Sequence, residues 1–145
     1  MTTESVYLLD ANVLIALANS NHVHHASAHR WFASIDRWAT TPITEAAFVR
    51  LQSNPVVTGS EISCASALGA LAAMRQHPGH VFLGDESSLA NPSINLTSLV
   101  GFRQVTDFHL VNLCAAQGGV LATFDAKIRN ALAAADRRLV EVVPA

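Results

Sequence analysis

Short apolar runs alternate with longer segments of helical period along this chain. Residues 6–9 (VYLL) are an apolar run bounded by polar positions, the signature of a buried strand. Val13, Leu14, Leu17 and Ala18 recur at helical spacing and predict a helix over 12–18. The polar stretch 19–21 interrupts it, and a second helix follows over 24–35, reaching toward Arg37. Trp38-Ala39-Thr40 reads as a second short strand, closed by Pro42, because proline cannot donate to a central ladder. Thr44-Glu45 opens a helix that runs through Leu51 and stops at Asn54-Pro55. Residues 60–75 form the longest alanine-rich helical segment, with Ser60 or Ser63 as cap and His77-Pro78-Gly79 as exit. A third strand is predicted over 80–83, followed by a polar, loop-like interval over 84–98. In 105–127 (VTDFHLVNLCAAQGGVLATFDAK) a helix opens at Asp107 with Thr106 as N-cap, Gln117-Gly118-Gly119 ends it, and 120–123 is a strand. A helix over 126–135 and a strand over 139–143 complete the chain. No repeat of fixed period appears. The reading is a single α/β domain over 1–145, a short central parallel sheet of about four to five strands flanked by helices, with right-handed crossovers.

In such a fold the C-terminal ends of strands and the N-terminal ends of the following helices share one edge, where sites form. The helix after Asp107 descends by about 15 Å over about ten residues, and the strand climbs back by about 13 Å over four. Asp107 and Asp125 therefore return to nearly the same edge. Asp10 ends the first strand and Glu45 starts a helix just after the second, so all four acids are predicted there. Singly, each has an ordinary explanation, since Asp and Glu favour the first turn of a helix. Jointly, four ionised carboxylates repel unless a cation sits among them. Oxygen-only ligands suit Mg²⁺ or Mn²⁺, which keep waters and recruit phosphate oxygens, and the implied chemistry is phosphodiester hydrolysis.

Composition adjusts this picture without redirecting it. Half of the residues are apolar and 14% are charged, enough to build a core and reserve some surface for a dimer or another partner. The net charge is −2, so no bulk basic footprint for nucleic acid is present. A metal-filled acid site would cancel that charge, and eight of the nine basic residues are arginine, the better phosphate fork. Arg103, Lys127 and Arg129 flank the acids of 105–127 as candidate phosphate contacts, with surface salt bridges an equal contender. Cys64 and Cys114 lie far apart in helical patterns without a CxxC spacing, which reads as buried free thiols and suits a reducing, cytoplasmic setting. The N-terminus shows neither a signal peptide nor a spanning helix.

The segments LLDANVLIAL, PITEAAFVR at 42–50 and VTDFHLVNLCAAQGGVLATFD at 105–125 together resemble a PIN domain, and more narrowly the VapC-type toxins of bacterial type II toxin-antitoxin systems. The resemblance spans nearly the whole chain and rests on the order and spacing of its motifs. It implies a PIN-like sandwich and carries the family's acidic set onto Asp10, Glu45, Asp107 and Asp125, with Asp10 and Asp107 as the most direct metal ligands. The family's hydroxyl two residues before the last acid falls on Thr123, and its polar residue beside the first acid falls on Asn12. Both are expected to support the acids. The resemblance further implies Mg²⁺- or Mn²⁺-dependent endonucleolytic cleavage of RNA, often structured RNA such as tRNA or rRNA, inhibition by a cognate VapB-type antitoxin, and a homodimer. Nothing in 84–98 or the early helices carries a recognisable code for substrate choice.

Rival readings rest on fewer residues. A phosphatase using Asp10 as nucleophile usually carries DxD, and Asn12 lacks the second carboxylate. A PIN-like module kept only for binding sits poorly with four intact acids. His22, His24, His25 and His29 raise the question of zinc, but there is no HExxH and no nearby cysteine, so a solvated helix start facing RNA is the preferred reading. His109, two residues beyond Asp107, points to another face and takes no catalytic role. Trp31, Phe32 and Trp38 are expected in packing rather than base stacking.

Overall fold

The computed structural model describes residues 5–145. Residues 1–4, part of the N-terminal reading above, lie outside the described residues. Strands β1 (Val6–Leu9), β2 (Arg37–Thr40), β3 (His80–Phe82), β4 (Gly119–Thr123) and β5 (Val140–Val142) form one parallel sheet in the order β3-β2-β1-β4-β5. Helices α1 (Ala11–Ala18), α2 (His25–Phe32), α3 (Pro42–Gln52), α4 (Pro55–Thr58), α5 (Cys64–Arg75), α6 (Val105–Gln117) and α7 (Ala126–Ala131) connect them. The α/β expectation holds, with five strands.

Alternating strand residues feed two cores. Leu8, Ala39, Leu121 and Val140 pack with Phe108, Val111 and Leu113 of α6 and Ile128 of α7. Leu9, Trp38 and Ala122 pack on the other face with Val13 and Leu14 of α1, Trp31 of α2, Phe48 of α3 and Leu71 of α5. This period of two is why β1 and the middle of β4 read as continuous apolar runs: both faces of the sheet are covered there. Trp31 and Trp38 are buried, and the Trp31 Nε1–H donates to Glu141 Oε2 at 2.6 Å, which places both rings in packing as expected.

Several boundaries differ from the sequence reading for local reasons. α2 ends at Phe32, short of 35, where the Ser34 hydroxyl and N–H both donate to the Trp31 carbonyl. α3 begins at Pro42, two residues before Thr44, since proline suits the first helical position, and the Thr41 N–H donates to Thr44 Oγ1 at 3.1 Å. Of the two serine caps, Ser63 is used, its Oγ accepting from Ser66 N at 3.0 Å. Thr106 is not the cap of α6. A 3₁₀ turn over Phe102–Gln104 runs directly into Val105, leaving Asp107 in the first turn. Gly118 at φ 74° closes α6 in the left-handed conformation. α7 stops at Ala131 because Leu132 turns extended with its side chain buried, and a separate 3₁₀ stretch, Ala134–Leu139, follows. Cys114 is buried as expected, whereas Cys64, first residue of α5, is exposed, because that end of the helix faces water; neither is in a disulfide.

The 84–98 interval has no helix or strand and lies along α6. Asn112 accepts from Ser93 N at 2.7 Å and donates to Ser88 O at 3.3 Å. Gln117 donates to Gly84 O at 2.8 Å, and His109 pairs with Asp85 at 2.6 Å. These bonds account for His109 outside the chemistry. Among the described residues, no helix is long and apolar enough to cross a membrane.

Candidate active site

The strand order reverses between β1 and β4, both of which start their connections at the sheet's C-terminal edge, and an open α/β sheet forms its crevice at such a switch point. Leu9 pairs with Ala122, and Asp10 continues the ladder by donating its N–H to Ala122 O at 2.9 Å. Asp10 and Thr123 thereby stand side by side at the strand ends.

Thr123 is completely buried, and its single hydroxyl organises the edge. Its Oγ1 donates to Asp10 Oδ2 at 2.8 Å and accepts from Asn12 Nδ2 at 3.1 Å and from Asp125 N at 3.1 Å. One donor and two acceptor positions exhaust a hydroxyl. Asn12 Oδ1 in turn accepts from Phe124 N at 3.3 Å. Asp10 caps α1, its Oδ1 accepting from Ala11 N at 2.8 Å, and Asp125 caps α7, its Oδ1 accepting from Lys127 N at 2.9 Å. The two positions expected to support the acids are thus the pieces that tie β1 to β4.

Asp107 reaches the same place from α6. Burial raises its pKa, and the charges of Asp10 and Asp125 raise it further, to about 6. The pKa of Asp10 is also raised, chiefly by burial and least by Asp125, against the opposing hydrogen bonds from Thr123 and Ala11. Three aspartates from separate segments therefore feel one another electrostatically. Asp107 and Asp125 line a cavity of about 580 Å³ with Arg103, Gln104, Phe108 and Lys127. Asp10 is outside that lining, on the β1 side.

Glu45, in the first turn of α3 after β2, is not among the charges that raise Asp10 or Asp107. Its Oε2 accepts from Thr40 Oγ1 at 2.6 Å and pairs with Arg75 Nη1 at 3.3 Å. The hydroxyl of Thr40 also bonds His80 Nε2 at 2.8 Å. Arg75, Thr40 and His80 were not singled out by the sequence. Their only trace there is positional: Thr40 ends a strand, His80 starts one, and Arg75 is the lone charge closing an alanine-rich helix. Of the flanking cations, Arg103 and Lys127 line the aspartate cavity, while Arg129 lines a different one with Tyr7, Arg138 and Glu141.

The donor set at the trio is all oxygen and carries more negative charge than its surroundings neutralise, which fits a hard divalent cation. Among the described residues, no three His, Cys, Asp or Glu side chains close into a metal cage. An ion here would be held by an open carboxylate set with water completing its shell, the habit of Mg²⁺ rather than of structural zinc. The histidine cluster is otherwise occupied: His25 Nδ1 and His29 Nε2 bond the Ala16 and Leu17 carbonyls at the end of α1, at 2.8 and 2.9 Å. His24 stacks on Phe124 at 4.9 Å. These contacts correct the picture of a simply solvated helix start, because the unpaired carbonyls of α1 need donors.

A family model described as PIN domain matches residues 7–133. The chain is 47% identical over 123 residues to Ribonuclease VapC38 of Mycobacterium tuberculosis H37Rv, covering 83% of this chain and 86% of that protein. It is 48% identical over 139 residues to Ribonuclease VapC39 of Mycobacterium tuberculosis CDC 1551, covering 94% and 98%. The crystal structure of Mycobacterium tuberculosis VapC20, described as a sarcin-ricin loop cleaving toxin, shares the fold with a TM-score of 0.59 at 14% identity, over 86% of this chain and 94% of that one.

Proposed function

Because the chain belongs to the PIN-domain family, on its VapC branch, we propose that it is a metal-dependent endoribonuclease toxin that hydrolyses phosphodiester bonds in RNA and is neutralised by a cognate VapB-type antitoxin. The observation that carries this reading is the meeting of Asp10, Asp107 and Asp125 at the β1–β4 switch point, with Asp107 raised by burial and then by the other two. Asp10 and Asp107 would hold Mg²⁺ or Mn²⁺ most directly, with Asp125 and Glu45 completing the pocket, directly or through water. Bound there, the ion supplies charge neutralisation and acidifies a water.

The chain's own residues supply the rest. Thr123 and the Ala11 N–H fix both oxygens of Asp10, so this carboxylate is oriented before anything binds. Asp107, raised to about 6 by burial and by the charges of Asp10 and Asp125 in the metal-free protein, is the carboxylate whose ionised form a cation would relieve most. Arg103 and Lys127, in the same cavity, are placed to hold RNA phosphate. Exposed apolar side chains on α4 and α5, Val56, Val57 and Leu68, support a protein partner, whether antitoxin or a second copy in a homodimer. The two free cysteines support a cytoplasmic setting.

Purified protein freed of antitoxin should cut RNA in Mg²⁺ or Mn²⁺, and EDTA or Asp10→Asn should abolish cleavage. Cleavage that persists in the Asp10→Asn, Asp107→Asn double variant would sink the mechanism.

A further inference from the structure

Glu45 is held from two sides, and the second holder has capacity beyond it. Thr40 Oγ1 donates to Glu45 Oε2 at 2.6 Å, a short charge-assisted bond that by itself fixes the carboxylate. Arg75 adds a looser contact through one nitrogen, Nη1, at 3.3 Å to Oε2 and 3.5 Å to Oε1. Both distances exceed the roughly 2.7–2.9 Å of a strong guanidinium–carboxylate bond, and one nitrogen serving both oxygens is not the bidentate fork that makes arginine pairs tight. The Arg75 side chain is 39% exposed, so the pair is of the screened kind that contributes little to stability.

Its placement is nevertheless fixed. The guanidinium lies over the ring of Phe82, 4.8 Å from the centroid, and Phe82 is itself an exposed aromatic at the end of β3. Stacking on a ring face restrains the guanidinium while leaving its in-plane N–H groups to other partners. Arg75 thus presents an ordered cation beside Glu45 on the β2–β3 side of the site. Arg103 and Lys127 do so beside Asp107 and Asp125 on the β4 side. A strand crossing the acids meets positive charge on both flanks.

We propose that Arg75 is an RNA-phosphate ligand on the β2–β3 side of the site, parked on Glu45 and Phe82 when no strand is bound. This rests on the endoribonuclease reading. When RNA enters, the exposed edge of the guanidinium takes a phosphate oxygen, and Thr40 continues to hold Glu45. The residue acts on substrate binding and leaves the chemical step to the acids.

The test uses the whole protein in two measurements. In the cleavage-inactive Asp10→Asn background, binding of single-stranded RNA is followed against salt for Arg75, Arg75→Ala and Arg75→Lys. Arg75→Ala should weaken binding at low salt by about tenfold or more and flatten the slope of log K against log salt by roughly 0.7–1. Arg75→Lys, which keeps the charge but loses the fork, should restore the slope. In the otherwise wild-type protein, Arg75→Ala should raise KM with kcat nearly unchanged. An unchanged slope and KM would overturn the proposal. So would loss of kcat with slope and KM intact, which would leave Arg75 as a mere holder of Glu45. A wild-type protein that cleaves no RNA removes the functional reading, and this inference with it. A wild type that cleaves while Arg75→Ala changes nothing removes the inference alone.

Discussion

Asp107 sits in the least comfortable electrostatic position of the site. Its pKa, ordinarily 3.8, is raised to about 6 by burial and by Asp10 and Asp125. Between those two values the folded state binds more protons than the unfolded state, so this group makes stability fall as pH rises. Above about pH 6 the ionised carboxylate weighs against the metal-free fold, and acidification toward pH 4 relieves it. Asp107→Asn should therefore stabilise metal-free protein at pH 7.5. Solvent screening of this part-exposed side chain holds the gain to about 1 kcal/mol, or roughly 2–4 °C in Tm. The gain should shrink as pH falls through 6 and be gone near 4. Thermal unfolding in EDTA across that range checks it, and a variant no more stable than the parent at pH 7.5 would mean that the aspartates are too well solvated to oppose one another.

At the scale of elements, periodicity and turn chemistry were enough to place the strands and most helices, because both sheet faces are covered and the strands are short runs built around apolar residues. The two aspartates of 105–125 were legible for the same reason: a helix, a left-handed Gly118 and a strand of known rise return the chain to its starting edge. Glu45's surroundings were not. Thr40 meets His80 only through the β2–β3 pairing, Arg75 meets Glu45 only through the reach of one long side chain, and neither leaves a sequence period. Arg129 was misleading by two residues, since positions two apart on a helix point to different faces, and it lines a cavity away from Lys127. The 84–98 interval was opaque because its order comes from side chains of α6 rather than from its own backbone pattern. Glycines give the element scale a direct test. Gly118 has φ 74° with nothing within 4 Å of an added Cβ, so Gly118→Ala carries the backbone penalty alone, about 1–2 kcal/mol. Gly79 has φ 87°, and an added Cβ would lie 2.0 Å from Asp36 O, where the chain enters β3 against β2. Gly79→Ala should cost clearly more, about 3 kcal/mol or above. Urea unfolding of the two variants ranks them, and equal costs would show that the turn before β3 shifts freely.

For the molecule as a whole, the site is where distant parts of the chain are joined. Thr123 and Asp10 are 113 positions apart, and Asp107 arrives from a third segment on the opposite side of the sheet from α1. The joint carries like charges, so the fold tolerates at this point an arrangement that a cation would favour. A metal that binds the assembled site and not the unfolded chain must stabilise the entire fold by mass action. At a free Mn²⁺ concentration about 100-fold above its Kd, the gain is about 2.7 kcal/mol. For a chain of this length that is roughly 5–10 °C in Tm. Asp10→Asn removes one of the proposed ligands and one of the charges that raise Asp107, so its Tm should stay nearly flat over the same titration. Differential scanning fluorimetry of both proteins against Mn²⁺, with no RNA present, separates ion binding from cleavage. An equal rise in wild type and Asp10→Asn would place the stabilising ion somewhere other than the aspartate edge.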